Sequence, residues 1–528
     1  MNNNYVNILG QRSSGILLPV FSLPGPFGIG DMGGSARLFI DFLHSSGQSC
    51  WQILPVNPTN AIFGNSPYMS YSSFAGNPLF ISPELLLAQG LVRESETTPP
   101  VFSEYTIDYP KAVAYKERLL ALAWEHFQHN CHLDDALGDF VRLNSWVSDH
   151  GLFLALKEAY RGMPWYKWPP SLRHRHPDAL AQAARQHRER VRYHIFVQYL
   201  FFMQWQQLRT YAAENGIRII GDLPIYVAQD SVDVWAHPAI FQLDAHSGEP
   251  TYVAGVPPDY FSATGQRWGN PLYYWDLDDP DRKKLLWDWW EQRFRVNFTL
   301  ADTIRIDHFR GFESYWSVPA EEETALNGQW EPGPGAPFFQ EMDRRLGGMS
   351  IIAEDLGLIT PEVEELRLEL GYPGMKVLLF AFDGNRNNSY LPYNCEQNSV
   401  MYTGTHDNDT AVGWCLNPEI PLTSKQLAKR FANRFDDHAE SFHRDLIHIA
   451  LSSASNLAII PLQDVLGFGN DCRINTPGTT ENNWRWRCAS RFLTDDIATW
   501  LHEMTETFGR LPNLPPSEES PQGEHTDL

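Results

Sequence analysis

The sequence predicts an α/β fold: a closed (β/α)8 barrel of the TIM type, with a large, mainly helical insertion after strand 2 and further loop insertions. Three observations predict it. Short apolar runs recur at eight places along the 528 residues. The first two enclose a helical pattern, and strand, helix and strand in that order require parallel pairing with a right-handed crossover. Several later runs stop abruptly in carboxylates, which is how a barrel strand delivers reactive groups to its carboxyl end.

Residues 15–23 (GILLPVFSL) read as the first strand. The run 35–46 places Leu38, Phe39, Phe42 and Leu43 on one helical face, and Gly47 stops it. Residues 48–56 (QSCWQILPV) form the second strand. Residues 57–216 then break the rhythm: a loop rich in Ser, Pro, Tyr and Asn leads into helical stretches near 109–130 and 137–160, and into another from Asp178, after Pro177, to Gly216. We expect 57–216 to be a helical subdomain inserted into a single catalytic barrel domain spanning 1–505. Strand patterns resume at 217–227 (IRIIGDLPIYV), 303–309, 350–356, 375–382 (MKVLLFAF), 399–405 and 457–465 (LAIIPLQDV). A long aromatic loop, 251–276, and a Trp-rich helix, 280–294, precede the fourth strand. Between the fifth and sixth, Thr360 and Pro361 supply cap and first-turn chemistry and Gly371 ends the helix, as a βα repeat demands. Residues 511–528 are rich in Pro, Glu and Ser and are expected to be a disordered tail.

Composition narrows the partners. A net charge of -23, with no basic domain to offset it, argues against nucleic acid and other polyanions. The short Arg/His-rich stretch near 173–192 contains His174 and His176 but no neighbouring Cys or carboxylate cluster, so it reads as a solvated helix entry and not a metal site. Aromatic residues make up 13%, with 18 Trp, which suits carbohydrate platforms as well as ordinary core packing. Six scattered cysteines without C-x-x-C spacing fit a reducing cytoplasm. The start MNNNYVNILGQRSSG lacks signal-peptide character, and no run of about eighteen apolar residues would span a membrane. No P-loop or dinucleotide-binding glycine motif is present, so no cofactor and no metal are expected. The expected assembly is a monomer or weak homodimer.

The chemistry concentrates in three runs, 303–310 (TIRIDHFR), 350–355 (SIIAED) and 399–407 (SVMYTGTHD). Asp222, Asp307, Glu354, Asp407 and Asp464 all fall at or near strand ends. Each alone could be a helix cap or the partner of a nearby Arg. Together they are harder to explain that way, because crowded carboxylates repel unless cations or function offset the cost. Strand alternation points Arg305 and Asp307 to the same side, where the guanidinium would keep Asp307 ionised. Glu354 follows Ile351, Ile352 and Ala353, an apolar setting that would keep it protonated. One ionised and one protonated carboxyl are what retaining glycosidic chemistry needs, at a separation of about 5 to 5.5 Å. Asp407, between His406 and Asn408, could bind hydroxyls and favour an oxocarbenium-like transition state. His308 and His406 could hydrogen-bond hydroxyls or simply be rim histidines.

These residues sit in motifs that resemble glycoside hydrolase family 77, the 4-α-glucanotransferases known as amylomaltases or disproportionating enzymes. The resemblance runs to about residue 505 through SPYMSYSSFAGNP (66–78), GDLPIYVAQDSVDVW (221–235), GVPPDYFSATGQRWGNPLY (255–273), RIDHFRGF (305–312), AEDLG (353–357) and GTHDNDT (404–410). It implies transfer of an α-1,4-glucan segment to a sugar 4-hydroxyl, with Asp307 as nucleophile, Glu354 as acid/base and Asp407 as transition-state stabiliser. It also implies sugar contacts from Tyr68, Asp222, Arg305, His308 and His406, and a lid carrying Asp259, Tyr260, Phe261, Gln266 and Trp268, with Gly255, Gly265 and Gly269 lending mobility. Residues 466–487 should complete the donor cleft through Asn475, while Trp484 and Trp486 read as packing and stay outside the site. Residues 384–396, with Cys395, depart most from the family pattern.

Three other classes fit parts of the pattern. A hydrolytic α-amylase-like enzyme would use the same acids, a metal-dependent barrel could gather them as ligands, and an inactive glucan-binding protein would have lost one.

Overall fold

A computed structural model describes residues 8–128, 132–258, 262–275, 278–435 and 441–512. Its strands, in chain order, are β1 (Ser13–Leu17), β2 (Cys50–Gln52), β3 (Arg218–Pro224), β4 (Tyr252–Val256), β5 (Gln266–Pro271), β6 (Thr303–Asp307), β7 (Ser314–Pro319), β8 (Gln329–Pro332), β9 (Ile351–Ala353), β10 (Gly374–Val377), β11 (Ser399–Tyr402) and β12 (Leu457–Pro461). Eight of them close into a barrel in the order β1-β12-β11-β10-β9-β6-β3-β2, every pair parallel. These are the eight segments that the apolar runs mark.

The strands are shorter than the runs that mark them, and β1 and β10 begin two residues and one residue ahead of theirs. After β1, Pro19 has no N–H to offer a sheet and Val20–Ser22 turn in a 3-10 helix, with Leu18, Val20, Phe21 and Leu23 buried over the barrel end. After β10 the chain turns at Leu378–Phe380, and after β12 Pro461 leads directly into the helix Leu462–Leu466. The first helix covers Gly34–Ser45 and buries Phe39, Phe42 and Leu43. Leu38, expected on that face, is 63% exposed, because a step of about 100° per residue carries it off the buried stripe.

Between β2 and β3 the chain is mainly helical, with Tyr109–Phe127, His132–Leu143, Trp146–Ala159, Pro177–Gln186 and Arg188–Glu214 the longest pieces. The stretch near 137–160 is thus two helices, divided at Asn144, and that from 178 to 216 is divided at His187. The Trp-rich helix runs Pro280–Leu300 and turns Trp287, Trp289 and Trp290 inward. Trp51, Trp165, Trp168, Trp205, Trp235 and Trp290 are fully buried, so core packing takes much of the tryptophan. Among the described residues no helix is long and apolar enough to cross a membrane.

The stretch 251–276, read from sequence as a loop, contains β4 and β5, which join β7 and β8 in an antiparallel sheet of order β5-β4-β7-β8. Tyr252 pairs with Pro319, a partner far along the chain that no local pattern reveals. Gly255 and Gly265 serve close approach here: a Cβ would lie 2.5 Å from Gln266 O at the first and 2.4 Å from Val256 O at the second.

The barrel seam, where β1 meets β12, is laced by two arginines. Arg510, fully buried, donates to carbonyls of Ser13, Leu451, Ser453, Ser455 and Asn456, and Arg12 donates to Phe508, Ser453 and Leu451.

Candidate active site

Register brings the acids to one mouth. In the β3–β6 pair Asp222 lies opposite Arg305, and Glu354 N, just past β9, donates to Ile306 O at 3.1 Å, so Asp222, Asp307 and Glu354 leave adjacent strands at about the same height. Asp407 lies five residues beyond the end of β11. All three proposed catalytic acids therefore stand at carboxyl ends of barrel strands.

Arg305 is the hub. Its Nη1 lies 2.7 Å from Asp222 Oδ1 and 3.0 Å from Asp307 Oδ1, confirming that Arg305 and Asp307 share one side of β6. Asp307 keeps 30% of its side chain open to the cleft. Burial raises Asp222 despite the Arg305 guanidinium beside it, and the Asp307 charge adds to the rise.

Glu354 behaves differently. Burial pushes its carboxyl up to about 7; Arg305 opposes the rise and the Asp307 charge reinforces it. His308 N donates to Oε2 at 2.7 Å and Leu356 N to Oε1 at 2.9 Å, fixing the group in place. His308 sits in the left-handed region with φ +54, a conformation uncommon outside glycine, and in it presents its N–H to Glu354. Burial holds the His308 imidazole down at about 4, so at neutral pH it is an uncharged hydrogen-bonding ring.

Asp407 is held at the opposite extreme. Burial works against its charge, but His406, with Nε2 at 3.3 Å, and Asn475, donating Nδ2 to Oδ1 at 2.6 Å, outweigh it and keep the carboxyl down at about 2. Burial likewise works against the His406 charge, and Asp407 overcomes it to raise the imidazole. Tyr68 donates its one proton to Asp222 Oδ2 at 2.8 Å, so its oxygen, 3.0 Å from His406 Nε2, accepts from that ring. A hydrogen-bonded chain thus links Asp407, His406, Tyr68, Asp222, Arg305 and Asp307 across the cleft.

The β4–β5 hairpin supplies one wall. Trp268 meets the His308 ring edge-on at 4.9 Å and donates Nε1 to Gln266 Oε1 at 3.2 Å. Asp259, Tyr260 and Phe261 lie outside the described residues. Asp464 does not join the site. Because Pro461 turns the chain into a helix, Asp464 points inward, accepts from Ala411 N at 2.7 Å and from Thr403, and is pushed up to about 6 by burial. Among the described residues no group of three or more His, Cys, Asp or Glu side chains could hold a metal ion.

One residue read from sequence as packing backs the site, and one feature escaped sequence reasoning. Trp484, at φ +62 and 6% exposed, backs the Tyr68 and His406 rings at 5.7 and 6.0 Å. It lies behind the site and not in the cleft. Arg473 reaches Asp409, the Asp407 carbonyl and the Asn475 carbonyl from the segment after β12. A lone Arg two residues before Asn475 was the only sequence signal.

Comparison with known proteins fixes the relationship. Residues 18–494 match the family model described as 4-alpha-glucanotransferase. The chain belongs to that family. Among glucanotransferase relatives, the 4-alpha-glucanotransferase of Synechocystis sp. is 48% identical over 510 residues, covering 95% of this chain and 99% of that one. The Thermus thermophilus 4-alpha-glucanotransferase is 44% identical over 511 residues, with coverage of 95% and 99%. The structure of amylomaltase from Streptococcus agalactiae in complex with acarbose is 36% identical, covers 95% of this chain and 100% of that one, and has a TM-score of 0.90.

Proposed function

We propose that this 4-α-glucanotransferase cuts an α-1,4-glucan and passes the severed segment to the 4-hydroxyl of glucose or another glucan by a retaining double displacement. The observation that carries the proposal is the divergent protonation of acids around one hub: Glu354 raised to about 7, Asp407 lowered to about 2, and Asp307 paired with Arg305 at 3.0 Å.

Asp307 attacks the anomeric carbon while Glu354 gives its proton to the departing oxygen. The same Glu354, now ionised, takes the proton from an incoming 4-hydroxyl as that oxygen displaces Asp307, and two inversions restore the α configuration. Asp407, held ionised, offsets the positive charge that develops on the sugar ring. Asp222, Tyr68, Arg305, His308, His406 and Asn475 provide the hydrogen-bonding wall, and Gln266 and Trp268 face it from the hairpin. Transfer prevails where the hairpin wall and an acceptor sugar keep water from the glycosyl-enzyme. A cytoplasmic setting is supported by the free state of Cys50, Cys395, Cys415, Cys472 and Cys488.

Incubation with maltotriose tests the assignment. Longer maltodextrins together with glucose are expected; the appearance of shorter sugars alone would show hydrolysis in place of transfer.

A further inference from the structure

The segment after β12 returns to the site and is sewn to the Asp407 turn. Asn470 Oδ1 accepts from Thr410 N at 3.0 Å, Asn475 N donates to His406 O at 3.1 Å, and Asn475 Nδ2 reaches the Asp407 carboxylate. Arg473 joins the two strips at three points, one per nitrogen. Nε donates to Asn475 O at 2.6 Å, Nη2 to Asp407 O at 2.5 Å, and Nη1 to Asp409 Oδ1. Its side chain is 19% exposed and Asp409 is 15% exposed, so the pair is largely shielded from water. A planar guanidinium fixes the spacing of its partners in a way a single ammonium cannot.

We infer that Arg473 is a positioning residue for glucan transfer: it sets the distance between the Asn475 and Asp407 backbones so that the Asn475 amide meets the Asp407 carboxylate. It acts without touching the sugar, and the inference rests on the proposed role of Asp407. Without the fork, the strips keep the bonds from Asn475 N to His406 O and from Thr410 N to Asn470 but lose the three that fix their spacing beside Asp407. Asp407 then loses a donor and its fixed direction. The ground-state contacts made by Asp222 and Arg305 on the opposite side stay in place, so binding changes less than turnover.

The test measures kcat, KM and the pH profile of kcat/KM on maltotriose, with Tm, for Arg473→Lys, Arg473→Ala, Asn475→Ala, the Ala double variant and Asp407→Asn. Arg473→Lys keeps charge and most of the volume, so it guards against loss of fold. It is expected to keep Tm within about 2 °C, to lower kcat about fivefold or more, and to change KM less than about threefold. Arg473→Ala is expected to lower kcat about 10- to 100-fold and to move the acid limb upward, as Asn475→Ala does. The double variant should be no worse than the poorer single by more than about twofold, since both remove one bond. Wild-type kcat and acid limb in Arg473→Lys, or losses that multiply in the double variant, overturn the inference. Asp407→Asn separates the two ideas. If it keeps full turnover, the role given to Asp407 fails; if it abolishes turnover while Arg473→Lys is silent, only the positioning role fails.

Discussion

Replacing Glu354 with Gln should make the protein more stable at alkaline pH while abolishing its activity. The buried carboxyl titrates at about 7 in the fold against an ordinary 4.5, and in the unfolded chain it returns to the ordinary value. Between these pH values the folded state still holds a proton that the unfolded state has released, so stability falls as pH rises through this window. The cost is absent below 4.5 and complete above 7. At about 1.4 kcal/mol per pH unit it amounts to about 3 kcal/mol. Gln is neutral at every pH and escapes the cost, though its amide nitrogen cannot accept one of the two backbone N–H bonds from His308 and Leu356, a loss of about 1 kcal/mol. A net gain of about 2 kcal/mol at pH 8 follows, or roughly 2 °C in Tm for a chain of this length, shrinking to nothing or reversing near pH 4.5. The assay is thermal or urea denaturation of both proteins from pH 4.5 to 8, beside kcat/KM for the wild type, whose basic limb should fall near 7. A stability difference that does not change with pH would refute the burial argument, and measurable turnover by the Gln variant would remove Glu354 as the proton donor.

Tyr68→Phe deletes the link between Asp222 and His406 and should lower kcat/KM about 10- to 100-fold; a change under twofold in steady-state rates would take Tyr68 out of the site. Arg510→Ala strips buried carbonyls of their donor and leaves a cavity, so it should cost about 3–5 kcal/mol in denaturant unfolding. The same variant should retain wild-type kcat per folded molecule, because the seam lacing does not contact the acids.

Much of the barrel was legible because a barrel strand is a local object: a few apolar residues followed by a polar group, as in Thr303–Asp307. That Asp307, Glu354 and Asp407 emerge at one end of the barrel was legible for the same reason, since position after the apolar run decides where a residue emerges. Where sequence misled, a nonlocal or geometric cause can be named. Asp464 looked like a fifth strand-end acid until Pro461 turned its segment into a helix. The 251–276 stretch looked irregular because β4 finds its partner in β7, across the whole Pro280–Leu300 helix. Arg473 makes its contacts only once two loops have met, and nothing in its neighbours' identities foretells that meeting. Leu38 shows the limit of counting apolar residues, since a helix buries a stripe and not every Leu near it.

The ring of strands meets itself where the first strand lies beside the last, and its lacing is drawn from both Arg12 and Arg510. Asp307, Glu354 and Asp407 are thus all synthesised well before the residues that shut the ring, and the polypeptide must have left the ribosome as far as Arg510 before its catalytic mouth can have a fixed circumference. Assembly of the cleft is therefore expected to be a late event, governed by contacts of very high sequence separation.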